Sequence, residues 1–410
     1  MRNAWLLWAL TSIFFFFEYF LRVSPSVLSA FLEQEMHTNL MNISTLSVMF
    51  YYPYLFMQIP VGMIVDRFNV KYIMMLAILL FGVATMLFSF MPNIYYGYLY
   101  RFAMGFAGAF GFVGTIKVIT LYFDSSKSAL LSGVTQGLGM LGAVIGLSPM
   151  YYCFLHYGWR NTCLVLALSF FLISLLILLN KVNNYDHGKH GKSHFWDDMK
   201  HIVNNRFIWF NAVASGCFYG PLLAFGEQWG VSFLSSTHVT VMQAAIIVSM
   251  MFIGMAIGCP AVGFLSDTLK NRVSVVRISS FLCMVLLMIV IYHDMLGFKL
   301  NYATILIMMF LYGFFQGAVV VFYALATELV PLKLTGVCMG LTNMASVIIG
   351  AMFIQLIAYL LEHVIYHRHV IVSEVSPHNF QLVFLLFPVS FLIAIIASYL
   401  IPETRGKRIV

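Results

Sequence analysis

Apolar residues run along this chain in long unbroken blocks. There is neither the alternation of half-buried strands nor the one-sided stripe of surface helices. Each block approaches or exceeds about 20 residues, the length at which a helix crosses the hydrocarbon core of a bilayer. The pattern predicts twelve spanning helices, over 4–33, 41–65, 71–91, 94–122, 128–156, 159–180, 206–235, 240–266, 273–295, 301–326, 335–362 and 379–401. One polar, charged and histidine-rich stretch, between the sixth block and the seventh, divides them. The expected organisation is an all-α membrane protein with a six-helix bundle at 1–180, a cytoplasmic linker at 181–205 and a second, pseudo-symmetric bundle at 206–410.

Composition narrows the class. The chain has 410 residues, 61% of them hydrophobic and only 9% charged, where soluble domains carry about 25% charged residues. All but six of its 22 Lys and Arg fall in segments on one side of the predicted bundle. Arg160, Lys299 and Arg368 lie on the other side, and Arg22, Arg101 and Lys117 lie within helices. That bias predicts a multi-pass protein with both termini cytoplasmic. The net charge of +7 therefore reports topology and is no argument for nucleic acid as a partner. The first block is too long for a cleaved signal peptide and no A-x-A site follows it. Cysteines 153, 163, 217, 259, 283 and 338 are scattered without a C-x-x-C pair, which points to packing rather than metal or disulfides. Histidines 187, 190, 194 and 201 belong to the linker and read as a solvated loop. No phosphate-binding G-x-x-x-x-G-K-[ST] loop, nucleophile or zinc signature is present. The expectation is a transporter that is not an enzyme and needs no cofactor beyond a coupling ion, proton or sodium. A small-molecule substrate and the lipid bilayer are its expected partners, and a monomer its expected state.

The two halves share a motif. Gly62, Asp66 and Lys71 recur as Gly263, Asp267 and Arg272, each 201 positions later, and a second echo at an offset of 207 aligns Gly133 with Gly340 and Gln136 with Asn343. Internal duplication of this kind builds many secondary transporters, with the substrate site between the repeats.

These residues carry a resemblance. Gly62-Met-Ile-Val-Asp66-Arg67, running to Lys71, resembles motif A of the major facilitator superfamily. Arg101 and Gly105 resemble its R-x-x-x-G element. Glu328, Pro331, Lys333 and Gly336 resemble the E-x-x-P…G junction before helix eleven, and Pro402-Glu403-Thr404-Arg405-Gly406 resembles its closing P-E-T-x-G. Phe68 and Asn69 stand where motif A usually has glycine and arginine, and Thr268 replaces the arginine in the second copy. A narrower resemblance, carried by 17–27, Tyr51-Tyr52-Pro53-Tyr54 and 58–62, is to the phagosomal transporter (Pht) group of bacterial amino-acid and nucleoside importers. It implies a major facilitator fold in a bacterial inner membrane. It also implies alternating-access uptake of a small polar nutrient, an amino acid or a related zwitterion or organic anion. A proton-driven exporter of a drug, siderophore or metabolite is the alternative, and a non-transporting receptor on the same fold a further one.

Chemistry is concentrated in buried charge. Glu18 and Arg22, four residues apart in the first block, share one helical face, and a charge at the centre of a membrane helix costs about 2.5–3.5 kcal/mol on insertion scales. An apolar surrounding penalises an ionised carboxylate unless a cation stands beside it. Arg22 would therefore hold Glu18 charged, and protonation of Glu18 would free Arg22, with its forked donors, for an incoming carboxylate or phosphate. Lys117, Glu227 and Gln228 are further charge or hydrogen-bond candidates. The Gly220-Pro221 pair ahead of Glu227 predicts a helix break there. Tyr52, Gln136 and Asn343 complete the candidate substrate set, with Tyr51, Tyr54, Gln58 and Gln316 as lesser members. Gly62, Asp66, Arg67, Lys71, Gly263, Asp267 and Arg272 form a candidate conformational latch, with Arg67 and Lys71 holding headgroups or carboxylates. Arg101, Gly105 and Glu328 are read as structural or state-stabilising. Gly133, Gly137, Gly139, Gly142 and Gly146, followed by Pro149, predict a close-packing face.

Overall fold

The computed structural model describes residues 2–182, 204–237, 239–297, 299–331 and 334–408, without the side chains of 2, 59, 66 and 125–129. The linker histidines, Lys333 and the Asp66 side chain thus lie outside the described residues. The described residues form helices and no strand. They fall into two compact units, Met1–Gly191 and Lys192–Val410.

The first unit comprises α1 (Arg2–Val23), α2 (Pro25–Met36), α3 (Leu40–Arg67), α4 (Val70–Ser89), α5 (Ile94–Gly108), α6 (Phe110–Tyr122), α7 (Ser125–Ile145), α8 (Ser148–Tyr157) and α9 (Trp159–Leu179). The second comprises α10 (Arg206–Ala224), a π turn (Phe225–Trp229), α11 (Gly230–Ser235), α12 (Val241–Leu269) and α13 (Arg272–Tyr292). After these come α14 (Tyr302–Gln316), α15 (Val319–Glu328), α16 (Thr335–Tyr359), a second π turn (Leu360–Ile365), α17 (Pro377–Val383) and α18 (Leu386–Tyr399). Among the described residues, ten helices are long and apolar enough to cross a membrane; the bent pair Leu130–Ile145 and Ser148–Tyr157, at 45°, makes eleven. That bend falls at Gly146–Leu147, ahead of the Pro149 the sequence singled out.

Asparagines start many of these helices. Asn39, Asn69, Asn93, Asn205, Asn271 and Asn301 each accept a backbone N–H from the first turn that follows, satisfying one of the donors a helix start leaves open. Asn69, one of the departures from motif A, is therefore the cap of α4.

The repeat is visible in the packing. In the first unit α1 packs on α7, α3 on α5 and α4 on α9; in the second α10 packs on α16, α12 on α14 and α13 on α18. Gly105 lets α5 approach α3 so closely that a Cβ there would collide with the Phe50 carbonyl, and Gly313 does the same for α14 against the Met251 carbonyl. Phe50 and Met251 stand 201 positions apart, so one helix crossing is built twice. Of the glycines in α7 and at its C-terminal cap, Gly139, Gly142 and Gly146 make the close approach to α1, at Phe15, Phe16 and Phe20; Gly133 and Gly137 face nothing within 4 Å.

Candidate substrate site and latch residues

Both first helices are interrupted at the same register. In the first unit Pro25 has no N–H to offer the Leu21 carbonyl four residues back, so the α1 ladder breaks there. Position 226, 201 residues on, lies in the π turn Phe225–Trp229 of the second unit. The break expected at Gly220-Pro221 is displaced: α10 continues through Pro221 to Ala224, because the Ser390 hydroxyl donates to the orphaned Cys217 carbonyl at 2.6 Å. The irregular turn instead holds Glu227 and Gln228 themselves, both buried. Such π turns occur mostly as single turns and frequently at functional sites.

Just before the Pro25 break stands Arg22, only 2% exposed. Its guanidinium carbon lies 4.8 Å from the ring centre of Tyr19, 5.1 Å from that of Tyr51 and 5.5 Å from that of Tyr54. Three ring faces around one cation stabilise its charge where water is scarce. The i,i+3 spacing of Tyr51 and Tyr54 turns both toward α1. Tyr52, the tyrosine favoured on sequence, is 40% exposed and outside this group. Glu18, fully buried, lies one turn earlier, about 6 Å along the axis. Its Cγ is 3.1 Å from where a Cβ on Gly108 would stand, with the Phe50 and Phe81 rings beside it. A Cβ at this α5–α6 junction would crowd the carboxylate arm.

The remaining candidates are spread out. Lys117 on α6 and Gln136 on α7 are half-buried. Asn343 on α16, also half-buried, accepts the Tyr323 hydroxyl at 3.0 Å. Gln316 donates to the Phe218 carbonyl at 3.2 Å and to the Tyr312 hydroxyl at 3.1 Å, so it joins helices within the second unit.

The latch residues differ between the copies. Lys71 donates to the Leu178 and Asn180 carbonyls at 3.1 and 2.6 Å, capping the end of α9; the headgroup or carboxylate contact expected of it is replaced by backbone. Arg67 is exposed. Arg272 instead bridges Asp267 at 2.5 Å and Glu328 at 3.0 Å. The helix caps give the reason. Lys71 is the second residue after cap Asn69, whereas Arg272 is the first after cap Asn271, and a slip of one residue turns a side chain by about 100° around the axis. Glu328 also accepts the Thr404 hydroxyl. Glu403 accepts the Arg272 and Val273 amides at 2.9 and 2.8 Å, where a carboxylate suits a helix N-terminus. The closing Pro402-Glu403-Thr404 motif therefore joins the Arg272–Glu328 cluster, a contact its sequence distance from Arg272 conceals.

Among the described residues no group of three or more His, Cys, Asp or Glu is placed to hold a metal. The described residues thus form a duplicated set of helices able to cross a membrane, with charged side chains buried among them. The profile described as the Major Facilitator Superfamily matches residues 7–354, and the chain belongs to that family. It is 26% identical over 155 residues to a probable sulfoacetate transporter, SauU, of Cupriavidus necator, covering 38% of this chain and 36% of that one. With a probable galactarate/D-glucarate transporter, GarP, of Escherichia coli K12 it shares 21% identity over 401 residues, 88% and 87% of the two chains. Over the first three curated relatives the match spans only 36–60% of their own length. A crystal structure of a bacterial homologue of the human lysosomal transporter Spinster, inward-facing and unoccupied, superposes with a TM-score of 0.74 at 14% identity, covering 97% of each chain. That likeness establishes the fold.

Proposed function

We propose that this chain imports a small organic anion or zwitterion across the bacterial inner membrane by alternating access, coupled to protons. It does so as a monomer of twelve spanning helices in two six-helix bundles, α3 supplying the span beyond the eleven counted, with both termini cytoplasmic. The observation that carries the reading is Arg22, a cation buried among three tyrosine rings one turn from the buried Glu18. A permanent charge in that setting is retained at a cost of several kcal/mol, and an anionic ligand recovers it through paired, charge-assisted hydrogen bonds. The carboxylates and sulfonate in the substrates for which SauU and GarP are named support an anion, and the Pht resemblance supports one borne on an amino acid. Protonation of Glu18 weakens its hold on Arg22 and readies the guanidinium for substrate; return of the proton on the inner side completes the cycle. Lys117 supplies a second cation toward the inner face. Glu227 and Gln228 on the π turn, with Gln136 and Asn343, discriminate among ligands, and the Asp267–Arg272–Glu328 group favours one conformation.

Direction and coupling are tested together in right-side-out vesicles given sulfoacetate or D-glucarate and an imposed proton gradient, acidic outside. Accumulation that collapses with a protonophore is expected. Accumulation only in everted vesicles would establish an exporter instead, and accumulation that follows sodium rather than pH would transfer the coupling role from the proton.

A further inference from the structure

The Pro25 break leaves carbonyls that something must satisfy, since an unpaired buried carbonyl costs free energy comparable to a lost hydrogen bond. In an uninterrupted helix the Leu21 carbonyl would accept from residue 25. Here the Ser24 hydroxyl donates to it at 2.7 Å and Arg101 Nη1 donates to it at 2.9 Å. Arg101 Nη2 donates to the Arg22 carbonyl at 3.4 Å, and its Nε to the Leu46 carbonyl of α3 at 3.4 Å. The guanidinium also lies 4.9 Å from the Phe50 ring centre and is 2% exposed. One side chain on α5 therefore grips the backbone of Arg22 and of its neighbour, and ties both to the helix that bears Tyr51 and Tyr54.

We infer that Arg101 is a positioning residue for substrate: by capping the carbonyls that Pro25 orphans, it fixes the backbone from which Arg22 reaches into its tyrosine cluster. The second unit supplies a natural control. The register that relates Gly105 to Gly313 places Met309 at the position of Arg101, and the 201 offset places Gly226 at the position of Pro25. At this pair of positions proline and arginine are present together in one unit and absent together from the other, as expected if the first creates the need for the second. The inference rests on the assignment of Arg22 as the substrate's cation, and the test separates the two.

Proline removal is the key. Pro25→Ala restores the N–H that Leu21 lacks, so it should make Arg101 dispensable. Uptake of labelled sulfoacetate and D-glucarate is measured in proteoliposomes containing equal amounts of folded protein. Arg101→Gln should raise KM about tenfold, the loss of a charge-assisted hydrogen bond, with the maximal rate changed less than twofold; Arg101→Lys should fall between. Pro25→Ala alone should change KM little, and Pro25→Ala/Arg101→Gln should return it to within about threefold of the parent. A purely structural role would reduce the folded fraction and leave KM alone. If the double variant is as impaired as Arg101→Gln, Arg101 acts directly and the inference is overturned. Should Arg101→Gln fail to fold, Ser24→Ala replaces it: removing the second donor to Leu21 should raise KM about threefold with Pro25 present and do nothing with Ala at 25, whereas equal effects in both backgrounds overturn the inference. If Arg22→Gln transports both anions with unaltered KM, or the parent carries neither, the anion assignment itself fails and this inference with it.

Discussion

Glu328→Gln keeps the shape of a side chain on which Arg272 and Thr404 converge and removes its charge. Arg272 and Glu328 meet at 3.0 Å with side chains only 10% and 12% exposed, whereas Asp267, at 2.5 Å on the other side of the same guanidinium, is 65% exposed. Distance alone would rank Asp267 the stronger partner; burial reverses the order. Removing one member of a buried ion pair costs about 3–5 kcal/mol because the remaining charge is left uncompensated. An exposed pair is worth about 0–1 kcal/mol, screened by water and salt. For a unit of this size 1 kcal/mol moves the unfolding midpoint about 2–4 °C, so Glu328→Gln should lower it by about 6–20 °C and Asp267→Asn by no more than about 4 °C. Thermal unfolding of the purified protein in detergent, at low and high salt, measures both. Glu328→Gln should also weaken the hold on Thr404 and hasten proteolysis of residues 402–408. Equal midpoint shifts for the two variants, or an Asp267→Asn shift that exceeds the other, would refute the argument from burial.

Other consequences are as definite. Gly105→Ala and Gly313→Ala should each destabilise by about 1–3 kcal/mol through overpacking against a backbone carbonyl, while Gly62→Ala, with nothing within 4 Å, should be neutral or stabilising by up to about 1 kcal/mol; unfolding midpoints for the three decide it. Lys71→Met removes the donor to the last carbonyls of α9 and should cost about 1.5–3 kcal/mol, read as faster amide exchange at the ends of α4 and α9. Glu18→Gln should abolish pH-driven accumulation in vesicles yet leave exchange of labelled for unlabelled substrate intact; accumulation that persists would remove Glu18 from coupling.

The spans were legible because a bilayer demands some 20 apolar residues from each helix, and nearly every predicted boundary falls within a few residues of a helix end. The duplication was legible at Asp66 and Asp267, but the sequence paired Lys71 with Arg272 by a constant offset. Helix starts are set by caps, and the one-residue difference between Asn69 and Asn271 sends the two cations to different partners. Gly313 is not marked in the sequence as the counterpart of Gly105, because no arginine accompanies its crossing. The sequence points to Tyr52, whereas the period of a helix places Tyr51 and Tyr54, with Tyr19, on the side of Arg22. Contacts across long stretches of chain, such as Glu403 on the start of α13 or Arg101 on the Pro25 break, had no local signal. A proline that orphans a buried carbonyl is nevertheless a question a sequence can pose, and a buried arginine elsewhere is a plausible reply.

The central claim is that the caged Arg22 receives the anionic group of the substrate. Isothermal calorimetry of D-glucarate and sulfoacetate binding to the purified parent and to Arg22→Gln tests it most directly. Loss of a desolvated charged partner should weaken binding at least about thirtyfold without lowering the folded fraction; an Arg22→Gln protein that binds either anion as tightly as the parent would contradict the account.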